Sequence, residues 1–209
     1  MILKPQEIEK ESFRIIENLL SKEGLSFPEE SLPLVKRVIH TTGDISLAKD
    51  LVFHPLAVSR GIKALKSGGH IFCDVKMVVS GINQKELSRL GGKVCCYIDD
   101  EEVIKEAQRR GITRAICSVE KAISDRSKNI DIFVIGNAPT ALLALIKALE
   151  KGARPPSLII GVPVGFVGAA EYKALLVEKS PAPYITLLGT RGGSTIAVAL
   201  VNALIKLAL

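Results

Sequence analysis

Apolar positions recur at helical spacing through the first third of the chain: Ile8, Phe13, Ile15, Ile16 and Leu19 make one stripe, and Leu34, Val35, Val38 and Ile39 make a second. The pattern predicts helices and no strand from about residue 5 to residue 66. One further helix is expected to begin near Asp44, whose carboxylate can cap the amides of I-S-L-A-K-D-L. Another should follow Pro55, because proline fits a first helical turn and A-V-S-R-G-I-K-A-L-K continues the spacing. Past Lys66 the texture changes to short apolar or β-branched runs separated by helical segments. The predicted strands are I-F-C (71–73), V-C-C-Y-I (94–98), I-D-I-F-V-I (130–135), S-L-I-I (157–160) and Y-I-T-L-L (184–188). Helices are predicted near 75–81, 100–110, 114–124, 139–151, 167–177 and 193–207. Strands that alternate with helices pair in parallel, and continuous apolar runs, unlike alternating ones, imply a sheet covered on both faces. The fold class is α/β: a doubly wound, mainly parallel sheet with helices on both faces. A helical N-terminal region (1–66) and an alternating part (67–209) should form a single domain over 1–209.

Three units share a layout. V-I-G-N-A-P-T-A-L-L-A-L, I-I-G-V-P-V-G-F-V-G-A-A-E and L-L-G-T-R-G-G-S-T-I-A-V-A-L each run strand, glycine, turn, helix. Their spacings differ, so they are three strand ends on one edge of the sheet and not a sequence repeat. In open parallel sheets ligands settle beyond the carboxyl ends of the strands, where helix N-termini offer unpaired amides and a partial positive charge. Gly136, Gly161 and Gly189 mark the turns, and Gly192 and Gly193 let a ligand approach the last helix. Asn137 and Thr140 stand in the first turn either as hydrogen-bonding groups or as helix caps.

Composition narrows the function. With 209 residues, 47% of them hydrophobic, the chain can bury a core without disulfide staples. No apolar run approaches the ~18 residues of a membrane span, and no secretory leader is recognisable, so no membrane partner is expected. Cys73, Cys95, Cys96 and Cys117 form no C-x-x-C pair and read as reduced thiols of a cytoplasmic protein. The formal charge of +6 is scattered, aromatics are 4% of the chain and tryptophan is absent, which argues against nucleic acid and suits an anionic small molecule. Nucleotide and phosphate-loop fingerprints, zinc motifs and G-x-S-x-G are all missing.

Three histidines remain. His54 and His70 read as structural. His40 closes an apolar stripe in R-V-I-H-T-T-G-D, where a histidine can be half-buried, placed either for proton donation or simply to cap the helix. Arg191, inside the third glycine turn, can grip a carboxylate, while Arg114 is equally readable as a solvated helix residue.

The segments E-S-F-R-I-I (11–16), R-V-I-H (37–40), C-D-V-K-M-V (73–78), T-R-A (113–115), G-N-A-P-T-A-L (136–142), G-V-P-V-G-F-V-G-A-A-E (161–171) and G-G-S (192–194) together resemble the precorrin-8X methylmutase family over nearly the whole chain. The resemblance implies an isomerase that moves a methyl group from carbon 11 to carbon 12 of a corrin macrocycle, giving hydrogenobyrinate or its cobalt counterpart, cobyrinate, in cobalamin biosynthesis. It implies a homodimer that binds the corrinoid near the subunit interface and needs no dissociable cofactor or protein-held metal. His40 matches the family's catalytic histidine, Ser12 its substrate-contacting serine and Arg114 its arginine in the T-R segment. Thr41, Asn137, Thr140 and Arg191 complete the expected substrate contacts. Two departures stand out: Thr190 precedes Arg191 where relatives place arginine directly after the glycine, and H-T-T-G-D replaces the H-A-C-G-S of aerobic-type relatives. Two other readings fit the residues alone, a non-catalytic corrinoid carrier and an α/β enzyme acting on an anionic nucleotide.

Overall fold

The computed structural model describes residues 5–125, 128 and 130–209. Among these, six strands form one sheet: β1 (Leu51–Phe53), β2 (His70–Cys73), β3 (Val94–Cys95), β4 (Ile130–Ile135), β5 (Leu158–Gly161) and β6 (Tyr184–Leu187). They stand in the order β1-β6-β5-β4-β2-β3. All neighbours are parallel except β1, which runs antiparallel to β6 with Val52 opposite Thr186.

The alternation of side chains along each strand feeds two cores. Ile71, Cys73, Ile132, Val134, Leu158, Ile160, Ile185 and Leu187 point into one. On that face lie α1 (Pro5–Lys22), α2 (Leu32–Thr42), α3 (Ala57–Lys66), α4 (Lys76–Gly81), α5 (Gln84–Arg89) and α10 (Ser194–Ala208). Phe72, Phe133, Ile135, Ile159 and Tyr184 point the other way, into a core shared with α6 (Glu101–Arg110), α7 (Arg114–Ser124), α8 (Pro139–Glu150) and α9 (Ala169–Lys179). Both faces are therefore covered, as the continuous apolar strands require. The α10 helix is buried nearly all round because it is wedged between α2, α3 and the sheet. Each fully buried aliphatic side chain in these layers contributes about 1.5–3 kcal/mol.

Four expectations need correction. Residues 5–66 are not free of strands: β1 lies there. Three residues are too few to show a period, and the pairing comes from β6, far along the chain. His54 N–H donates to the Tyr184 carbonyl (2.9 Å) and Leu188 N–H to the Asp50 carbonyl (2.9 Å), extending that edge. The bias of a residue before proline toward extended backbone was a local hint. The third strand ends at Cys95 and not at residue 98, because Tyr97 turns away to donate its hydroxyl to Asp125 at 2.7 Å. The segment after Asp44 is a 3-10 helix, Ile45–Lys49, although Asp44 does cap it by accepting from Ser46 N–H at 2.9 Å. The α5 helix was not anticipated, although Asn83, which caps Glu86 N–H at 3.2 Å, stands at N-cap spacing from that acid.

Leu158 is fully buried at the centre of the sheet. Leu158→Ala is expected to destabilise the protein by about 2–5 kcal/mol, measured by urea unfolding; a loss under about 1 kcal/mol would show that this layer collapses around the cavity.

Candidate functional site

Counted from β2, the parallel strands run 2-1-3-4-5, so the winding reverses between β2 and β4. Ligands of open α/β sheets settle in the crevice outside such a reversal. Here the chain itself fills part of it. Asp74, directly after β2 and fully buried, accepts from the backbone N–H groups of Gly136 (2.9 Å), Asn137 (2.8 Å) and Ala138 (2.7 Å). Three amides of the turn that leads into α8, part of the surface expected to receive a substrate anion, are thus already satisfied. Burial pushes the Asp74 carboxyl above its ordinary value, and the three amides pull it back.

The second and third turns are laced to each other. Gly193 N–H donates to the Val162 carbonyl (2.8 Å) and Gly165 N–H to the Thr190 carbonyl (3.0 Å). At Gly192 a Cβ would stand 2.3 Å from the Val162 carbonyl oxygen, so only glycine permits this approach. Behind the third turn lies Lys173 of α9, fully buried, whose Nζ donates to the Arg191 carbonyl at 2.6 Å. Burial lowers the Lys173 ammonium from its ordinary 10.5 to about 8, while Asp50 pulls it upward.

The end of α2 meets this turn from the other face of the sheet. Gly43, left-handed at φ 67°, closes the helix, and Thr42 Oγ1 donates back to the Val38 carbonyl at 2.9 Å. His40 occupies the last turn. It is exposed rather than half-buried, and its ring meets Phe13 edge-on at 5.6 Å between centroids. That contact brings the Ser12 segment of α1 beside His40. Thr41 is exposed and also lines a groove of about 490 Å³ along α10, together with Arg37, Asn202 and Lys206.

Arg191, expected to grip a substrate carboxylate, is placed here on carboxylates of the chain itself. Its Nη1 donates to Asp44 Oδ2 (2.7 Å) and Ser46 Oγ (2.9 Å), and its Nη2 to Asp50 Oδ2 (2.7 Å). The Ser46 hydroxyl and amide, followed by Arg191, hold the Asp44 carboxyl below its ordinary value. Asn137 and Thr140 do not cap α8, whose N-cap is Ala138 with no side-chain bond. Thr140 Oγ1 instead pairs with Thr113 Oγ1 at 3.1 Å, which sets the start of α7, and so Arg114, beside the start of α8. Arg114 is exposed there, near Asp99, which is ion-paired with Lys76. The predicted residues accordingly form two groups on one edge: Ser12, His40, Thr41 and Arg191 around the end of α2, and Asn137, Thr140 and Arg114 at the reversal. Between them runs the β5–α9 loop, where Phe166 and Val167 are 93% and 89% exposed.

Asp74 and Lys173 were not singled out from sequence. An acid directly after a buried strand was the available signal for the first. For the second it was a lysine on the inner stripe of α9, Ala169, Lys173 and Leu176. The four cysteines are free thiols, raised by burial; Cys73 and Cys117 are buried and Cys95 and Cys96 half-buried. His54 Nδ1 accepts from Leu56 N–H at 3.1 Å, and His70 lies at the start of β2, so both stand apart from the edge that carries His40.

The chain is a doubly wound α/β protein that presents an exposed histidine, cationic side chains and apolar residues along one sheet edge. The sequence profile of precorrin-8X methylmutase matches residues 7–207, and the chain belongs to that family. It is accordingly an isomerase of cobalamin biosynthesis, a methylmutase. A cobalt-precorrin-8 methylmutase of Priestia megaterium is 45% identical over 100% of this chain and 90% of its own length. A protein of the same name from Leptospira interrogans is 44% identical over 97% and 93%. The precorrin-8X methylmutase of Pseudomonas aeruginosa is 40% identical over 95% and 94%. The crystal structure of a precorrin-8X methylmutase from Thermus thermophilus superposes with a TM-score of 0.83 at 37% identity, covering 96% of each chain.

In Asp74→Asn one amide-facing oxygen becomes a donor against a backbone N–H. The expected cost is about 1–3 kcal/mol of stability, read by urea unfolding. Unchanged stability would show that the turn does not depend on both oxygens.

Proposed function

We propose that this chain moves a methyl group from carbon 11 to carbon 12 of cobalt-precorrin-8, giving cobyrinate, with His40 as general acid. The cobalt form is favoured because the relatives at 45%, 44% and 43% identity carry that substrate's name, against 40% for the Pseudomonas aeruginosa precorrin-8X enzyme. The observation that carries the reading is His40 itself: an exposed imidazole at the carboxyl edge of the parallel sheet, set on a braced helix end.

The chemistry asks little else of the protein. A methyl shift around a conjugated ring is a rearrangement, so no nucleophile is consumed and no atom is gained or lost. What has to be supplied is a proton at a ring nitrogen or carbon while the conjugation reorganises, and its return before product leaves. Any cobalt belongs to the macrocycle, and no dissociable cofactor takes part. Ser12, Thr41, Asn137, Thr140 and Arg114 contact the carboxylate-bearing rim, and the Lys76 and Arg114 cations favour it electrostatically.

The enzyme works as a homodimer in the cytoplasm, with the macrocycle near the subunit interface. Phe166, Val167, Val164 and Met77, exposed around the site, are the apolar surface that supports this reading. Four cysteines carried as thiols fit a reducing compartment.

His40→Ala is expected to lower turnover by roughly 10²–10⁴-fold while the macrocycle still binds. The measurement is the absorbance change of the substrate alongside a binding titration; turnover retained within ten-fold would remove His40 as the donor.

A further inference from the structure

We propose that Lys173 is a positioning residue for the methyl migration: it fixes the β6–α10 turn through the Arg191 carbonyl, and the Arg191 guanidinium then holds the segment that sets the His40 end of α2. The inference rests on His40 being the proton donor.

The first link is the placement of the lysine. Lys173 occupies the inner stripe of α9 with Ala169 and Leu176, where the spacing calls for an apolar side chain, and it is fully buried. An ammonium in such a place is costly, and an apolar side chain of the same length would fill the volume without that cost. What lysine adds is a directed donor, and that donor meets the Arg191 carbonyl at 2.6 Å. The backbone of Arg191 is thereby held from behind.

The second link is the fork of the guanidinium. Asp44 and Asp50 are the residues at the two ends of the 3-10 helix Ile45–Lys49, and Arg191 reaches both, with Ser46 between them. One exposed ion pair contributes little. Three bonds to a single planar group on a fixed backbone define a geometry. The Asp50 carbonyl adds a fourth tie by accepting from Leu188 N–H at 2.9 Å.

The third link runs from Asp44 to the histidine. Asp44 N–H donates to Thr42 Oγ1 (3.3 Å), Thr42 Oγ1 donates to the Val38 carbonyl (2.9 Å), and Gly43 N–H donates to the Ile39 carbonyl (2.8 Å). His40 lies inside that last turn. Its ring meets Phe13 edge-on, and the backbone of that turn sets the point from which the imidazole extends. A displacement of about 1 Å at a reacting group costs on the order of 10²-fold in rate.

The test uses the full-length enzyme, with His40→Ala, Lys173→Met, Arg191→Gln and the last two combined, each assayed for kcat and KM with cobalt-precorrin-8. Expected is a fall in kcat of about ten-fold or more in each single brace variant, with KM held within about three-fold. The combined variant should be no worse than the poorer single one, since both act along one path. Arg191 is exposed, so Arg191→Gln leaves the cores intact and decides the matter even if Lys173→Met does not fold. Unchanged kcat in Arg191→Gln overturns the proposal, as does a rise in KM alone, which would return Arg191 to gripping substrate. Loss of kcat in Arg191→Gln with full kcat in a folded Lys173→Met removes the lysine from the path. An active His40→Ala overturns the donor reading, and the positioning role with it; an inactive His40→Ala beside a fully active Arg191→Gln overturns the positioning role alone.

Discussion

Asp74 meets the amides of Gly136, Asn137 and Ala138 where the winding of the sheet reverses, and the geometry of the whole edge depends on that contact. A reversal leaves two neighbouring strand ends whose connections diverge, and with them a crevice. A buried carboxylate there costs solvation, and three backbone donors offset it. The turn after β4 cannot move relative to β2 without leaving either the carboxylate or the amides unpaired. From that fixed point the order of strands places the β5–α9 loop and the third turn, and they in turn meet the end of α2.

The same solution recurs at the third turn with opposite sign. Lys173 is a buried cation on a carbonyl, as Asp74 is a buried anion on amides. Polar groups of this edge also hold the scaffold: Arg191 meets Asp44 and Asp50, and the amides of Gly136, Asn137 and Ala138 meet Asp74. His40, Arg114 and the apolar tip of the β5–α9 loop face solvent at the edge. That division suits a reaction with one proton to move and a large disc to hold still.

The parallel sheet and its two covers were legible because a strand buried on both faces is a continuous apolar run, and 132–135 and 158–160 are such runs. The edges were less so. Leu51, Val52 and Phe53 form a strand only because β6 arrives beside them, and no local period records a partner more than a hundred residues away. The site shows the same split. His40 stood out through its place at a stripe end, and the whole-chain resemblance gave it a role. Asp74 and Lys173 did not stand out, because composition reports that a charge exists and only packing reports that it is buried.

Burial also sets Asp74 and Lys173 apart from the other charges along this edge. A group that must meet a substrate carboxylate or carry a proton has to be reachable, and His40 and Arg114 are exposed. A group that must keep a turn in one place gains by being unreachable, since water cannot compete for its partner and the low dielectric strengthens the bond. The stabilisation is then conditional on geometry: a carbonyl or amide that drifts leaves an unpaired buried charge, which is far costlier than a lost surface pair. The penalty rises steeply with displacement, so these contacts act as stops more than as glue. A macrocycle that must bring one proton donor to one ring position requires such stops on the protein side, because a methyl shift offers no covalent intermediate to hold the reactants in register.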